Sequence, residues 1–260
     1  MTRGETIEPK RRRRFFGANI DLLTMEESVQ AVENFIGRRQ PMQHVVVNVA
    51  KLVAMQSDDE LRRVVNSCAI VNVDGQGVVW GARRMGIAVP ERVAGIDLFE
   101  RLVNMAAEKG HRTYFLGATD EIIRETMTRL QSRHPQLKVA GFRNGYFDQA
   151  DEAAIAKEIR DSDADMLFVG ISSPKKEFFL ERNLAAMNVP FAMGVGGSFD
   201  IIAGKTKRAP KWMQRAGLEW FYRLLNEPRR MWKRYLGSNF TFLKMLTKAA
   251  IFGKGRYDCD

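Results

Sequence analysis

The sequence predicts an α/β fold with a doubly wound, mostly parallel sheet and a helical C-terminal appendage. Short apolar runs recur along the chain up to residue 204, and segments with the period of helices lie between them. This alternation is typical of βαβ units. Beyond residue 204, lysine and arginine become frequent and are interleaved with tryptophan, phenylalanine and tyrosine. The sequence therefore divides into a disordered basic arm at 1–15, a sheet domain at 16–204 and an appendage at 205–260.

The first helix has a clear local signal, and the later elements follow from apolar runs. Thr24 is expected to cap that helix with Glu27 as its capping-box partner, and the helix should extend to about residue 36, after a strand-like piece at 19–23. Unbroken apolar runs are typical of strands buried on both faces of a parallel sheet, and they lie at residues 44–49, 69–73, 113–116, 137–141, 166–170 and 191–195. Helices are predicted at residues 51–56, 58–66, 78–85, 96–109, 120–133, 151–161 and 175–187.

The net charge of +10 is concentrated at the two ends of the chain. Residues 1–14 hold six basic and two acidic residues, and residues 205–260 hold fourteen and four, which leaves −4 for residues 15–204. Basic ends suggest an anionic partner, either nucleic acid or the cytoplasmic face of a membrane. For the N-terminal arm, a solubilising tail is the alternative.

Cysteine usage and hydropathy favour a cytoplasmic protein. Cys68 and Cys259 have no metal-ligand or disulfide spacing, which is typical of a reducing compartment. No apolar run approaches the roughly 18 residues that a membrane-spanning helix needs. The segment after the basic residues 10–14 is too short and too polar for the core of a signal peptide. We therefore predict that any membrane contact is peripheral.

The residues that follow the strands are the candidates for ligand binding, because open α/β sheets bind ligands at the carboxyl ends of their strands. These candidates are Asn48, Asp74, Gly117, 141–144, 170–176 and 194–200. The turns at Gly117 and at 172–174 place small residues at a helix N-terminus, which suits a phosphate but also serves packing alone. Gly194, Gly196 and Gly197 form part of a glycine fingerprint. They follow the last strand, and no acidic residue closes a following strand, which argues against a nicotinamide-dependent enzyme.

Asp74 is the strongest single candidate for a catalytic residue. It follows an apolar strand and precedes Gly75, so its carboxylate should stand at the ligand edge of the sheet. There it could take a proton from an attacking hydroxyl, and the alternative is an aspartate that caps a helix or stabilises a turn. Asp97 is expected in the first turn of the next helix. Asp200 is expected either to orient a sugar hydroxyl or to pair with an arginine.

The sequence contains no pattern typical of a metal site. His44, His111 and His134 lack metal-ligand spacing and are expected to be structural. No strand is followed by a pair of aspartates one residue apart, the arrangement that commonly holds a metal on a nucleotide-sugar. A metal-independent reaction with a diphosphate leaving group would instead need cationic side chains. The arginines available for bidentate contacts to phosphate are Arg92, Arg208, Arg223, Arg229, Arg230 and Arg234.

The appendage combines apolar and basic faces. In a helix predicted at 217–226, Arg223 points away from an apolar face, which consists of Leu218, Phe221, Tyr222 and Leu225. Pro228 should begin a second helix, in which aromatic residues and leucines are interleaved with arginines and lysines. This pattern is typical of a helix that lies at a membrane interface. The alternative is that the apolar stripe packs on the sheet domain.

Several motifs together indicate a family. They are NVDGQG (72–77), RVAGID (92–97), FLGA (115–118), GFRNGYF (141–147), VGISSPKKE (169–177), RAP (208–210) and GLEW (217–220). With these motifs the chain resembles the WecG/TagA/CpsF family of bacterial glycosyltransferases from about residue 17 to residue 243. The combination is far more specific than any one glycine pattern.

The resemblance implies a Rossmann-like sheet domain and an enzyme without a metal or other cofactor. It implies transfer, with inversion, of a sugar from a UDP-sugar to a polyprenyl-diphosphate-linked acceptor. The sugar would be N-acetylmannosamine, its uronic acid or a glucose-type sugar, for exopolysaccharide, capsule or cell-wall polymer synthesis. The appendage would dock on an anionic membrane surface and close over the active site. No nucleic acid is expected as a partner, and a homo-oligomer is left open.

The resemblance also implies roles for particular residues. Asp74 matches the proposed catalytic base of the family. Arg92 and the appendage residues Arg223 and Arg230 would stabilise the diphosphate. The other residues expected to contact substrates are Asn48, Gly117, Gly170, Lys176, Glu177, Gly196, Gly197, Asp200 and Arg208.

Two positions depart from the family pattern. Val46 stands where threonine is frequent, which removes one hydroxyl contact, and Lys176 stands where glutamine is usual. A cation at residue 176 could contact a diphosphate or an acidic sugar, so the departures affect the identity of the donor more than the type of reaction. The alternative function is a non-catalytic module that binds an anionic membrane or nucleic acid. That function would leave Asp74 and Arg92 without a joint purpose.

Overall fold

The computed structural model describes residues 11–226 and 228–252 of the chain and has a six-stranded parallel sheet at its centre. The strands are β3 (Met42–Val47), β4 (Ile70–Val73), β5 (Arg112–Gly117), β6 (Lys138–Arg143), β7 (Met166–Gly170) and β8 (Phe191–Gly194). They lie in the order β4-β3-β8-β7-β5-β6, and every neighbouring pair is parallel. All the strands predicted from apolar runs are present.

The register brings the carboxyl ends of neighbouring strands level with one another. Val47 of β3 pairs with Val73 of β4, and Gly117 of β5 pairs with Gly170 of β7. The residues that follow these strands therefore lie along one edge of the sheet, where ligands of open α/β folds bind.

A hairpin precedes the sheet and corrects the prediction of a disordered arm over residues 1–15. Its strands, β1 (Arg12–Phe15) and β2 (Ala18–Asp21), are antiparallel. Phe15 is fully buried, and Arg12 donates from Nε and Nη2 to the two carboxylate oxygens of Asp21 at 2.7 Å each. Asp21 Oδ2 also accepts from the backbone N–H of Val71 at 2.7 Å, which ties the hairpin to β4. The end of the basic run is ordered because its charge is paired, whereas residues 1–10 lie outside the described residues.

Helices connect the strands largely as predicted. They are α1 (Met25–Arg38), α2 (Val49–Ala54), α3 (Asp59–Ser67), α4 (Gln76–Arg84), α5 (Gly95–Lys109), α6 (Asp120–Arg133), α7 (Glu152–Asp161), α8 (Lys175–Met187), α9 (Ser198–Ile202), α10 (Lys211–Arg215), α11 (Glu219–Asn226) and α12 (Pro228–Phe252). The capping box of α1 is confirmed, since Thr24 Oγ1 accepts from Glu27 N–H and Glu27 Oε2 accepts from Thr24 N–H. The sequence did not predict α9 and α10, because each is only five residues long and lacks a helical repeat.

The helices cover both faces of the sheet. On one face, α1, α5, α6 and α9 pack over a cluster rich in phenylalanine, in which the rings of Phe99 and Phe168 are 4.8 Å apart. On the other face, α2, α3, α4 and the hairpin cover β3 and β4, while α7 and α8 cover β5, β7 and β8. The prediction of a doubly wound, Rossmann-like sheet is therefore confirmed.

The appendage is not detached from the sheet domain, because the C-terminal half of α12 packs on it. Phe242 is 5% exposed, and its ring lies 6.3 Å from that of Phe15 and 5.9 Å from that of Phe16. A side chain at Gly81 of α4 would approach Phe242 Cζ to 2.9 Å, so the helices meet at a glycine. In the C-terminal half of α12, the apolar stripe thus packs on the sheet domain through Phe242, which was the alternative to a membrane contact. Phe240 and Leu243 of the same helix remain exposed. Among the described helices, none is both long and apolar enough to cross a membrane.

We expect Phe242→Ala to lower the free energy of unfolding by about 3 kcal/mol, because it leaves a cavity between α12 and the hairpin. The matched control is Phe240→Ala on the same helix. Phe240 is 60% exposed and lies under the ammonium of Lys244, so this change should cost less than about 1 kcal/mol. Urea unfolding of both variants measures the difference, and equal effects would contradict the packing of α12.

The buried imidazole of His44 should make stability depend on pH. Its Nε2 lies 2.8 Å from Asn72 Oδ1, and burial lowers the pKa of His44 to about 4. As the pH falls, His44 therefore binds a proton in the unfolded chain before it does so in the folded chain. The free energy of unfolding is at its full value above about pH 6.5 and falls by about 3 kcal/mol in total as the pH approaches 4. Unfolding free energies measured from pH 7 to pH 5 should fall less in His44→Gln than in the parent chain. Parallel curves would show that His44 is not responsible.

Candidate active site

Asp74 lies at the carboxyl edge of the sheet, where the sequence placed it. Its backbone N–H donates to the carbonyl of Val47 at 2.9 Å, which extends the pairing of β3 and β4 by one residue. Gly75 follows with a φ of +102°, a conformation that favours glycine and turns the chain sharply into α4. Asp74 Oδ2 accepts from the N–H of Gly95 at 3.3 Å. The carboxylate is therefore held against the N-terminus of α5 and does not serve as the cap of α4.

The surroundings of Asp74 raise its pKa above the ordinary value. Burial is the largest cause, and the negative charge of Glu219 acts in the same direction. The N–H of Gly95 and the charges of Arg92 and Arg223 oppose the rise but do not cancel it. A carboxylate with a raised pKa is a better proton acceptor than an ordinary one, so the environment suits a general base.

An alternating chain of ion pairs stands beside Asp74. Arg92 Nη1 is 2.5 Å from Glu219 Oε2, and Arg208 Nε is 3.4 Å from Glu219 Oε1. Arg208 then donates to both oxygens of Asp97, at 2.6 and 2.8 Å. Asp97 lies in the first turn of α5, as predicted, whereas Glu219 begins α11. The chain of charges thus joins the appendage to the sheet domain at the carboxyl edge.

A pocket of about 430 Å³ opens at this junction. Its lining residues come from both parts of the protein and are Gln76, Arg92, Asp97, Glu100, Arg208, Lys211 and Gln214. Three of them are cations and two are carboxylates, and Glu219, which pairs with Arg92 and Arg208, balances the remaining positive charge. Guanidinium groups in a partly enclosed pocket suit a phosphate-bearing ligand.

Beyond Arg208, the structure describes the side chain of Arg223 but not those of the other appendage arginines expected to bind phosphate. Arg223 is exposed on α11, and its charge acts on Asp74, where it opposes but does not cancel the rise in the pKa of that carboxyl. The side chain of Arg230 lies outside the described part of the structure, as do those of Arg229 and Arg234. Their predicted contacts with a diphosphate stay predictions.

The glycines at the strand ends separate into two groups. A side chain at Gly117, whose φ is +146°, would come within 2.6 Å of the Gly170 backbone, and one at Gly170 would come within 2.4 Å of Phe199. Packing therefore accounts for these two glycines. Gly196 has a φ of +53°, and a side chain there would meet nothing within 4 Å. Of these four glycines, Gly196 alone faces open space, whereas Gly197 lies beside the carboxylate of Asp200.

Asn48, Lys176 and Glu177 belong to a polar region under the same edge. Asn48 Oδ1 caps α2 by accepting from the N–H of Lys51 at 3.0 Å. Glu177 Oε1 is 2.6 Å from Lys51 Nζ and 2.7 Å from Lys176 Nζ, and the Glu177 side chain is 1% exposed. Burial would raise the pKa of Glu177, but the two ammonium groups outweigh it and lower the pKa to about 2. A side chain at Gly194 would meet Lys176 Cε at 2.6 Å, so glycine leaves room for the lysine.

Sequence reasoning missed three residues of this region. Lys51 and Glu219 were overlooked because their partners are distant in the sequence: Lys51 and Glu177 are 126 positions apart, and Arg92 and Glu219 are 127 positions apart. Tyr146 is largely exposed in the loop after β6, which is joined to the β5 edge by a hydrogen bond from Gly145 N–H to the carbonyl of Ala118. An aromatic residue inside the motif GFRNGYF was the available signal.

Within the described ranges, no three histidine, cysteine, aspartate or glutamate side chains gather as they would around a metal ion. A Rossmann-like sheet with a carboxylate and arginines at its carboxyl edge defines an α/β enzyme suited to phosphorylated substrates. The profile of the glycosyl transferase WecG/TagA/CpsF family matches residues 13–256. The chain belongs to this family and is a glycosyltransferase, so the alternative of a non-catalytic binding module is not supported.

Two bacterial relatives share the name N-acetylglucosaminyldiphosphoundecaprenol N-acetyl-beta-D-mannosaminyltransferase. The protein of Bacillus subtilis is 36% identical over 190 residues, which cover 73% of this chain and 73% of that protein. The protein of Bacillus spizizenii is 39% identical over 173 residues, which cover 66% of each chain.

Glu177→Gln should destabilise the fold by about 3 kcal/mol, because it leaves two buried ammonium groups without their shared carboxylate. Glu181→Gln is the matched control on the same helix. Glu181 pairs with Arg63 at 2.8 Å near the surface, where such a pair contributes less than about 1 kcal/mol. Chemical denaturation of both variants distinguishes them. If Glu177→Gln left the free energy of unfolding unchanged, the cluster would have to be hydrated and its loss would cost little.

Proposed function

We propose that the protein is an inverting glycosyltransferase that moves a sugar from a UDP-sugar to a polyprenyl-diphosphate-linked acceptor without a metal. The observation that carries the proposal is the carboxylate of Asp74, with its raised pKa, within electrostatic reach of Arg92, which lines the pocket together with Arg208. The names of the two relatives describe transfer to a diphosphate-linked lipid, which supports an acceptor of that class.

In the proposed reaction, Asp74 acts as the general base. As the acceptor hydroxyl oxygen forms its bond to the anomeric carbon, its proton passes to the carboxylate of Asp74. The bond from the anomeric carbon to the UDP oxygen breaks, and its electron pair leaves with UDP. One displacement from the opposite face inverts the configuration of the sugar. The proton on Asp74 then returns to solvent.

Cationic side chains would neutralise the leaving diphosphate. Arg92, Arg208 and Lys211 line the pocket, and Arg223 lies within electrostatic reach of Asp74. Donors fixed in a partly enclosed site stabilise developing charge more strongly than water does, because they need not reorganise during the reaction. This supply of positive charge supports a mechanism without a metal.

The donor would extend along the carboxyl edge towards the loops after β6 and β8. Tyr146 offers an exposed ring for stacking on a base, and the open space at Gly196 allows a close approach to the backbone. Asp200 is partly exposed beside Gly197 and could accept from a sugar hydroxyl. Lys176 replaces the usual glutamine with a cation, which bears on whether the transferred sugar is neutral or acidic.

The appendage would hold the enzyme on the cytoplasmic face of the membrane that contains the acceptor. Its exposed apolar side chains include Trp212, Leu225, Trp232, Phe240 and Leu243. Each basic residue near an anionic leaflet contributes about 1 kcal/mol to binding, and residues 205–260 carry fourteen basic residues. The proposed product serves exopolysaccharide, capsule or cell-wall polymer assembly.

The proposal is tested with Asp74→Asn, which keeps the shape of the side chain but removes its basicity. We expect transfer from UDP-sugars to a synthetic prenyl-diphosphate sugar to fall by at least about 100-fold, the typical contribution of a general base. Thermal stabilisation by UDP should persist in the variant. The matched control is Asp163→Asn, which changes an exposed aspartate between α7 and β7, away from the pocket. Turnover close to that of the parent chain would remove Asp74 from the catalytic role.

A further inference from the structure

The outer face of α4 belongs to the sheet domain, yet it has the composition of a membrane-contact surface. Gln76, Trp80, Arg83 and Arg84 recur at the spacing that brings helical side chains to one side. The opposite side of α4 is buried in the core through Val78, Val79, Gly81 and Ala82. Trp80 is 59% exposed, and Arg83 and Arg84 are exposed beside it. Arg83 donates from Nε and Nη2 to the carbonyl of Val89 at 3.1 and 2.8 Å, so this face holds one tethered cation and a second exposed cation, Arg84, together with Trp80.

This face continues into the appendage. A side chain at Gly217, in the turn between α10 and α11, would come within 2.5 Å of Gln76 Cβ and 3.9 Å of Trp80 Cη2. The turn therefore rests directly on α4, and glycine is needed there both for this contact and for a φ of +73°. Trp212, on the neighbouring helix α10, is 65% exposed, and Lys211 beside it is also exposed. We call Trp80, Arg83, Arg84, Lys211 and Trp212 the α4–α10 face.

We propose that the α4–α10 face contacts the anionic leaflet directly, so that the sheet domain as well as the appendage rests on the membrane. The face presents two tryptophans and three cations, and none of its five residues is acidic. Tryptophan is favoured at the interface between headgroups and hydrocarbon, and arginine and lysine are attracted to anionic headgroups. Charge complementarity and the aromatic anchors together select a lipid surface as the occupant.

The α4–α10 face borders the pocket, and the role assigned to it here rests on the proposed function. Lys211 of this face lines the pocket, as does Gln76 one turn before Trp80, so the proposed membrane contact and the proposed diphosphate site share a border. A lipid-linked diphosphate that leaves the leaflet beside Trp80 would reach Arg92 and Arg208 without crossing open water. The α4–α10 face would therefore set the height of the pocket above the membrane.

The test is co-sedimentation of the full chain with vesicles of phosphatidylcholine alone or with about a third of phosphatidylglycerol. On anionic vesicles, we expect Arg84→Gln to weaken binding about fivefold and Trp80→Ala to weaken it on the order of tenfold. Lys157→Gln is the control, because Lys157 is an exposed cation on α7 that pairs with Asp161. It should bind vesicles as the parent chain does, and thermal melts should show that all three variants are folded.

Two further readouts separate the possible failures. Transfer to a water-soluble short-chain acceptor, measured without vesicles, should be unchanged in Trp80→Ala. If the parent chain itself shows no transfer in this assay, the proposed function is overturned but the proposed membrane contact is not. Unchanged vesicle binding in both Trp80→Ala and Arg84→Gln would overturn the proposal. If Trp80→Ala instead converts an oligomer to a monomer in analytical ultracentrifugation without affecting vesicle binding, the face joins two copies of the chain, and the proposal is wrong.

Discussion

The ion pairs that connect Arg92, Glu219, Arg208 and Asp97 are the interaction on which the arrangement of the site depends. They join the appendage to the carboxyl edge of the sheet, and three of their four members, Arg92, Arg208 and Asp97, line the pocket. Each arginine is shared or held by a carboxylate on the other part of the chain, so the wall of the pocket depends on Glu219 staying beside Arg92 and on Arg208 staying beside Asp97. Glu219 also contributes to the raised pKa of Asp74. The candidate base and the position of the appendage are thereby coupled through one residue.

Apolar packing supports these charges from two sides. Phe242 of α12 packs between the hairpin and α4, while Gly217 lets the turn before α11 rest on Gln76. A second set of charges, centred on Glu177, lies deeper, under the ends of β3 and β8. The two charge clusters differ in exposure: the Glu177 cluster is sealed, whereas the arginine cluster opens into the pocket. Of the two clusters, the arginine cluster is the one placed to exchange its partners with a ligand.

The sheet was predictable because its strands are continuous apolar runs, and such runs need neighbours on both faces wherever they lie in the chain. The position of Asp74 followed from the same pattern, since a residue just after a buried strand must reach the sheet edge. The pairings that define the site were not predictable. Arg92 could be recognised as a cation near that edge, but its contact with Glu219 depends on where α11 docks. Likewise, the basic run before Phe15 gave no sign that Arg12 would pair with Asp21.

The carboxylate of Glu219 already occupies the guanidinium groups that a diphosphate would use. In the proposed reaction an incoming diphosphate would replace one anion by another, and its binding free energy would be the difference between two sets of contacts. A site built in this way holds an anionic ligand less tightly than bare arginines would, because part of the attraction is already satisfied. In the proposed reaction the same property would favour turnover, since the returning carboxylate would compete with the departing UDP. Glu219 would then act as a counter-ion that limits inhibition of the enzyme by its own product.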